Sequence, residues 1–174
     1  KGENLRKVSK IMKKEIKKKL ALADLTLKEK KWLAKAVASI ILTERVLDEK
    51  ETVFLNKLKQ VMVDVDPIDA VLEVDELLMK KKKPEIEPLK IEDPEKLILM
   101  LNTLITAILA DEEKHEEEVR MYIKAGVKLG MTYDILLRKL HHRQDRLRIK
   151  KAQVLVDKDI RELVAQRNWY WEQD

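Results

Sequence analysis

The sequence predicts an all-α chain, and three observations carry that expectation. Breakers are scarce, with three glycines and four prolines in 174 residues, too few for the turns of a sandwich or barrel. Apolar residues recur at spacings of three and four, the helical period. Polar caps followed three residues later by Glu stand ahead of the apolar runs, as helix starts do. The length suits about one domain, with enough chain to bury a real core.

Leu5, Val8, Met12, Ile16 and Leu20 give one apolar face surrounded by lysines, so residues 1–25 read as a basic amphipathic helix. Thr26 with Glu29 is a capping box, opening a helix through Trp32, Leu33, Ala36, Val37, Ile40 and Ile41. Asp48 with Glu51 opens a second, with Val53, Phe54, Leu58, Val61 and Met62 as the expected buried face. Pro67 occupies the first turn of a third, with Ile68, Val71, Leu72, Leu78 and Met79 facing inward. Residues 80–95 hold three of the four prolines and read as a linker, drawn at 81–93.

Beyond Pro94 the pattern repeats with an offset of 67 and no gaps. Trp32 pairs with Leu99, Leu33 with Met100, Val37 with Leu104, Ile41 with Ile108, Glu51 with Glu118 and Ile68 with Ile135. Two three-helix repeats, 26–80 and 94–143, therefore make a domain over 26–143. Gly130 ends one helix and Met131-Thr132-Tyr133-Asp134 starts the next, where the first unit has Asp66-Pro67. A basic helix to about residue 150 and a shorter one around Ile160, Leu163 and Val164 form a C-terminal extension, 144–174.

The net charge of +5 hides its distribution. Residues 1–20 hold nine Lys/Arg against two Glu, so the remaining residues sum to −2. Residues 64–76 and 111–118 each contain six acids, and 138–151 contains seven Lys/Arg with Asp145 as its one acid. With no cysteine, disulfide scaffolds and thiol chemistry are excluded. Three scattered glycines cannot build a phosphate loop. No run approaches the roughly 18–20 apolar residues of a membrane span, and no uninterrupted apolar core follows the basic start as in a signal peptide. The expected location is cytoplasmic, with peripheral association at the inner membrane face as a variant.

Each repeat carries a long apolar helix ending in an acidic signature. The first copy is Thr43-Glu44-Arg45-Val46-Leu47-Asp48-Glu49-Lys50-Glu51, the second Ala110-Asp111-Glu112-Glu113-Lys114-His115-Glu116-Glu117-Glu118. This arrangement, over about residues 28–142, resembles the TerB-like family, whose motif is roughly Ala-Asp-Gly-x-hydrophobic-Asp-x-x-Glu, present twice. The family is all-helical, associated with tellurite resistance and stress, and also occurs as the cytoplasmic domain of some membrane-anchored J-domain co-chaperones. Arg45 and Glu112 stand where the family has glycine, Glu44 stands for Asp, and His115 for Asp. The resemblance implies a fold of two tandem TerB-like repeats. It also nominates Glu44, Asp48 and Glu51, with Asp111, His115 and Glu118, as ligands of a divalent cation. Carboxylates suit Ca²⁺ or Mg²⁺, and His115 favours Zn²⁺ or Mn²⁺ in the second site. The competing reading is structural, since Asp48 and Glu51 have capping-box spacing and acids in a first turn complement the helix dipole.

No catalytic constellation is present. His141 and His142 project about 100° apart on a helix and sit among bases. The basic surface comprises Lys10, Lys13, Lys14, Lys17 and Lys18 with Arg143, Arg146 and Arg148. It fits docking on the domain's own acidic surface, an anionic membrane face, or nucleic-acid phosphates. Trp169, Tyr170 and Trp171 suit docking into a groove on the domain or on a protein partner. The sequence thus predicts a non-enzymatic interaction or scaffold module, with a metal response at its acidic turns. No small-molecule substrate is indicated. The alternative is a module that binds nucleic acid or anionic membrane through its basic ends.

Overall fold

The computed structural model describes residues 20–44, 46–110 and 116–172, excepting the side chains of Glu44 and of 166–172. Among them are six α-helices and no strand: α1 (Leu27–Ile41), α2 (Glu49–Val61), α3 (Pro67–Met79), α4 (Pro94–Leu109), α5 (Glu116–Lys128) and α6 (Tyr133–Glu172). The expected all-α class is observed. No helix among the described residues is long and apolar enough to cross a membrane. The basic helix expected within residues 1–25 falls almost wholly outside the described residues, as do Lys10, Lys13, Lys14, Lys17 and Lys18. The chain divides into two compact units, Lys1–Met131 and Thr132–Asp174.

In the first unit α1 is the hub, packing against α3, α4 and α5, while α2 packs on α3. Its N-terminus is fixed by the expected capping box. The Glu29 N–H donates to Thr26 Oγ1 at 3.2 Å, and the Thr26 N–H donates to Glu29 Oε1 at 2.8 Å. From Leu33 to Ile41 only Lys35 is not buried. Hydrophobic burial all round is what a helix enclosed by three neighbours requires. Trp32, Leu33, Ala36, Val37, Ile40 and Ile41 are buried as expected, and Ala34, Ala38 and Ser39 join them.

The predicted inward faces of α2 and α3 need correcting. On α2 the buried residues are Glu51, Leu55 and Leu58, followed by Met62, while Val53 and Val61 are exposed. Val53 lies about 140° round the helix from Leu58, on the opposite side. On α3, Pro67, Val71 and Val74 are buried, whereas Ile68, Leu72 and Met79 are exposed. The sequence carries two adjacent apolar stripes there, and the one beginning at Pro67 faces the hub.

Helices α3 and α4 start alike. Asp66 and Asp93 accept from the N–H groups of Ile68 and Glu95, both at 3.0 Å, with Pro67 and Pro94 in the first turn. Proline suits that position, because its missing N–H would have no partner there. The ends of α3 and α5 are also alike. After α5 the Gly130 N–H reaches Val127 O at 2.9 Å and the Met131 N–H reaches Gly126 O at 3.1 Å, with Gly130 at φ +88°. After α3 the Lys81 N–H reaches Leu78 O at 3.0 Å and the Lys82 N–H reaches Leu77 O at 2.9 Å, with Lys81 at φ 55°. Both are Schellman closures, and only the second places a side-chain-bearing residue in the left-handed region. Lys81→Gly is therefore expected to stabilise the chain by about 1 kcal/mol, and Gly130→Ala to destabilise it by about as much. A Cβ at Gly130 would meet nothing within 4 Å, so that cost is conformational alone. Urea unfolding of the two variants checks both signs.

The segment expected to be a linker joins α3 to α4 and is packed as a strap. Residues 82–93 have no regular structure, yet Pro84, Ile86 and Leu89 are buried. Two hydrogen bonds hold it. The Trp32 Nε1–H donates to Glu87 O at 2.6 Å, and the Leu89 N–H donates to Lys128 O at 3.0 Å. The strap is thereby tied to the first turns of α1 and the last turn of α5.

The second unit is α6, one helix of 40 residues rather than the two expected. Nothing in its sequence stops it, since no glycine follows Gly130 and no proline follows Pro94. Leu136 and Leu140 are buried near its start, and every residue from Asp145 to Ala165 is exposed.

Candidate functional site

The acidic corner after α1 is built from its caps. Asp48 is the N-cap of α2: its Oδ1 accepts the Glu51 N–H at 2.7 Å, and the Asp48 N–H reaches back to Glu51 Oε1 at 3.5 Å. Thr52 adds a hydroxyl bond to Asp48 O at 2.9 Å. These bonds satisfy donors that a helix start otherwise leaves bare. Of the three carboxylates nominated here, Asp48 and Glu51 thus serve the turn itself. In the second corner Glu118 occupies the place of Glu51, and both are buried, at 3% and 4% exposure. Asp111 and His115 lie outside the described residues, as does the side chain of Glu44. Among the described residues no three acids or histidines converge as a metal cage.

Elsewhere buried charge is paired. Lys30 is 3% exposed and its Nζ lies 3.5 Å from Asp64 Oδ2. Glu29 takes Lys96 at 3.2 Å. Burial pushes the Glu29 carboxyl up, but hydrogen bonds from Thr26 and Lys96, with the Lys96 charge, outweigh it and hold the group below its ordinary value. Burial raises the Tyr122 phenol well above its usual range, so it does not titrate near neutrality.

One concavity among the described residues was missed by the sequence reading. A groove of about 440 Å³ runs between α1 and the strap, lined by Leu27, Trp32, Ile86, Pro88 and Leu89 with Lys28, Lys31 and Lys35 along its rim. Trp32, Ile86 and Leu89 are buried and form the floor. Glu87 is the one acid in that lining. Among the described residues, none of the three lysines has a carboxylate within ion-pairing distance. The volume lies in the range of ligand sites, and apolar floors with a few charged groups are their usual make-up. The signal available in the sequence was the spacing of Lys28, Lys31 and Lys35 around Trp32, together with apolar residues inside a proline-rich segment.

A second hollow, about 390 Å³, lies between α1 and α3, with Lys31 and Lys35 facing Asp64, Asp66, Asp69 and Glu73. Its charges oppose one another. On α6, Arg143, Arg146, Leu147 and Lys150 border a smaller hollow of about 180 Å³, and Arg146 and Arg148 are exposed. The backbone of Trp169, Tyr170 and Trp171 belongs to α6, while their side chains are outside the described set. No family model matches this chain, and neither a curated protein nor a solved structure does.

Proposed function

We propose that this chain is a TerB-like, two-repeat module that works by binding, and that its binding site is the strap groove. The ligand it suits is an acidic protein segment carrying an apolar side chain. That side chain would rest on Trp32, Ile86 and Leu89, while the carboxylates meet Lys28, Lys31 and Lys35. The observation carrying this reading is the groove itself, an apolar floor with three lysines on its rim, none within ion-pairing distance of a carboxylate among the described residues. The resemblance adds a stress-associated setting in the cytoplasm or at the inner membrane face.

The repeat is supported by the helix bounds. An offset of 67 carries Glu49–Val61 onto Glu116–Lys128 and the start of α1 onto Pro94. It also carries Leu33, Val37 and Ile41 onto the equally buried Met100, Leu104 and Ile108. Glu29 maps onto Lys96, its own ion-pair partner, as positions near a local two-fold would. The third helices depart from this register, since Val71 and Val74 map onto the exposed Arg138 and His141. A divalent-metal response enters this reading only through Glu44, Asp111, His115 and Glu118, because Asp48 and Glu51 are engaged in capping.

A second reading is favoured by the exposed bases Arg146, Arg148, Lys150 and Lys151 of α6, which suit phosphates of nucleic acid or of an anionic membrane. One titration separates the two. A labelled Glu/Leu peptide is expected to bind, a Lys/Leu peptide of equal length not to bind, and the Lys28→Glu/Lys31→Glu/Lys35→Glu variant to lose at least about tenfold in affinity. Equal binding of both peptides, or an unaffected triple variant, would remove the groove from consideration. Tight, salt-sensitive binding of duplex DNA or phosphatidylserine vesicles that Arg146→Glu/Lys150→Glu abolishes would support the second reading instead.

A further inference from the structure

From Asp145 to Ala165 helix α6 has no covered residue. Within that stretch Ile149, Val156, Ile160 and Leu163 follow one another at spacings of seven, four and three, 65%, 54%, 53% and 64% exposed. Gln153 completes the series, and Val164 flanks it. This is the a/d spacing of a coiled-coil seam carried over two heptads, with one polar layer. A lone helix gains most of its stability by packing an apolar face, and here that face is bare.

The charges along the helix say what covers it. Residues 143–151 hold Arg143, Arg146, Arg148, Lys150 and Lys151 against Asp145, a net +4. Residues 157–162 hold Asp157, Asp159 and Glu162 against Lys158 and Arg161, a net −1. The basic residues 1–20 carry the same sign as 143–151 and so do not complement that half in charge. A second α6 laid parallel sets the +4 halves side by side. Laid antiparallel, it sets each +4 half against a −1 half, twice.

We propose that α6 pairs with α6 of a second copy of this chain, antiparallel, through Ile149, Val156, Ile160 and Leu163. The register that places Ile149 against Ile160 of the second copy also places Gln153 against its Val156 and Lys150 against its Asp157. Arg146 then lays its aliphatic stem over Leu163 of the second copy, keeping its head in water. Each apolar layer and each ion pair occurs twice about the two-fold, as an isologous interface demands. The pairing rests on α6 alone and does not depend on the groove beside Trp32.

The chain has no cysteine, so introduced ones report without background. Light scattering of the intact chain at micromolar concentrations is expected to give a mass approaching twice 20.5 kDa. Ile160→Asp should weaken the pairing by about a hundredfold or more, since each dimer loses two buried isoleucines. Its thermal transition for the Lys1–Met131 unit should not move. Under mild oxidation Ile149→Cys/Ile160→Cys should form intermolecular disulfides, while Ile149→Cys alone should not. Lys150→Glu should weaken the pairing, and adding Asp157→Lys should restore it. A monomer at every concentration, an unaffected Ile160→Asp variant, or cross-linking of Ile149→Cys alone as in a parallel pair would each overturn the proposal.

Discussion

Replacing Trp32 by Ala is expected to cost about 3–5 kcal/mol of stability, as removal of a large buried aromatic does. Trp32 is 9% exposed and touches two parts of the fold at once. Its ring stands in α1 and floors the groove, while its Nε1–H holds Glu87 O of the strap at 2.6 Å. Trp32→Phe separates the two contributions. It keeps most of the apolar volume and removes the donor, so a loss near 1 kcal/mol is expected. Among the described residues the strap has one further hydrogen bond to the helices, the Leu89 N–H to Lys128 O, so both variants should speed amide exchange at Leu89. At this chain length the Ala variant should melt roughly 10 °C lower. Urea unfolding with exchange at Leu89 is the check. If Trp32→Ala costs under 1 kcal/mol, the strap is not anchored through this residue.

What the sequence made legible follows from which signals are local. Caps are local, so Thr26 with Glu29, Asp48 with Glu51, and Pro67 were readable, and each is found where expected. The helix terminus at Gly130 was readable for the same reason. Lys81 was not, because nothing in Lys80-Lys81-Lys82-Lys83 marks which lysine takes the left-handed conformation. Which of two adjacent stripes faces inward depends on neighbours distant in sequence. Leu72 and Val71 therefore could not be told apart, although one is 62% exposed and the other 8%. The groove was hidden for a third reason. A proline-rich segment reads as a linker until Ile86 and Leu89 are seen against α1 and α5, a long-range pairing that composition does not encode. At the acidic corners the spacing was legible and its meaning was not, since a capping box and a ligand pair share the same residues.

Leu33→Ala is expected to destabilise the chain by about 2–5 kcal/mol, and the reason lies in the central place of α1. Leu33 is 0% exposed on the one helix that packs against α3, α4 and α5. Truncation there removes transfer energy and leaves a cavity that three neighbours would have to close together. Small residues flank it, since Ala34, Ala36 and Ala38 are each 0–1% exposed and let the surrounding helices approach closely. An interior so close-packed has little freedom to collapse onto a void, which argues for the upper part of the range. Met100→Ala, at the position 67 residues on and also 0% exposed, should cost a comparable amount. Leu72→Ala removes the same atoms as Leu33→Ala from a side chain 62% exposed, and should change stability by no more than about 0.5 kcal/mol. Equilibrium urea unfolding of the three variants checks the order. Near-equal midpoints for Leu33→Ala and Leu72→Ala would mean that α1 is not the hub of the fold.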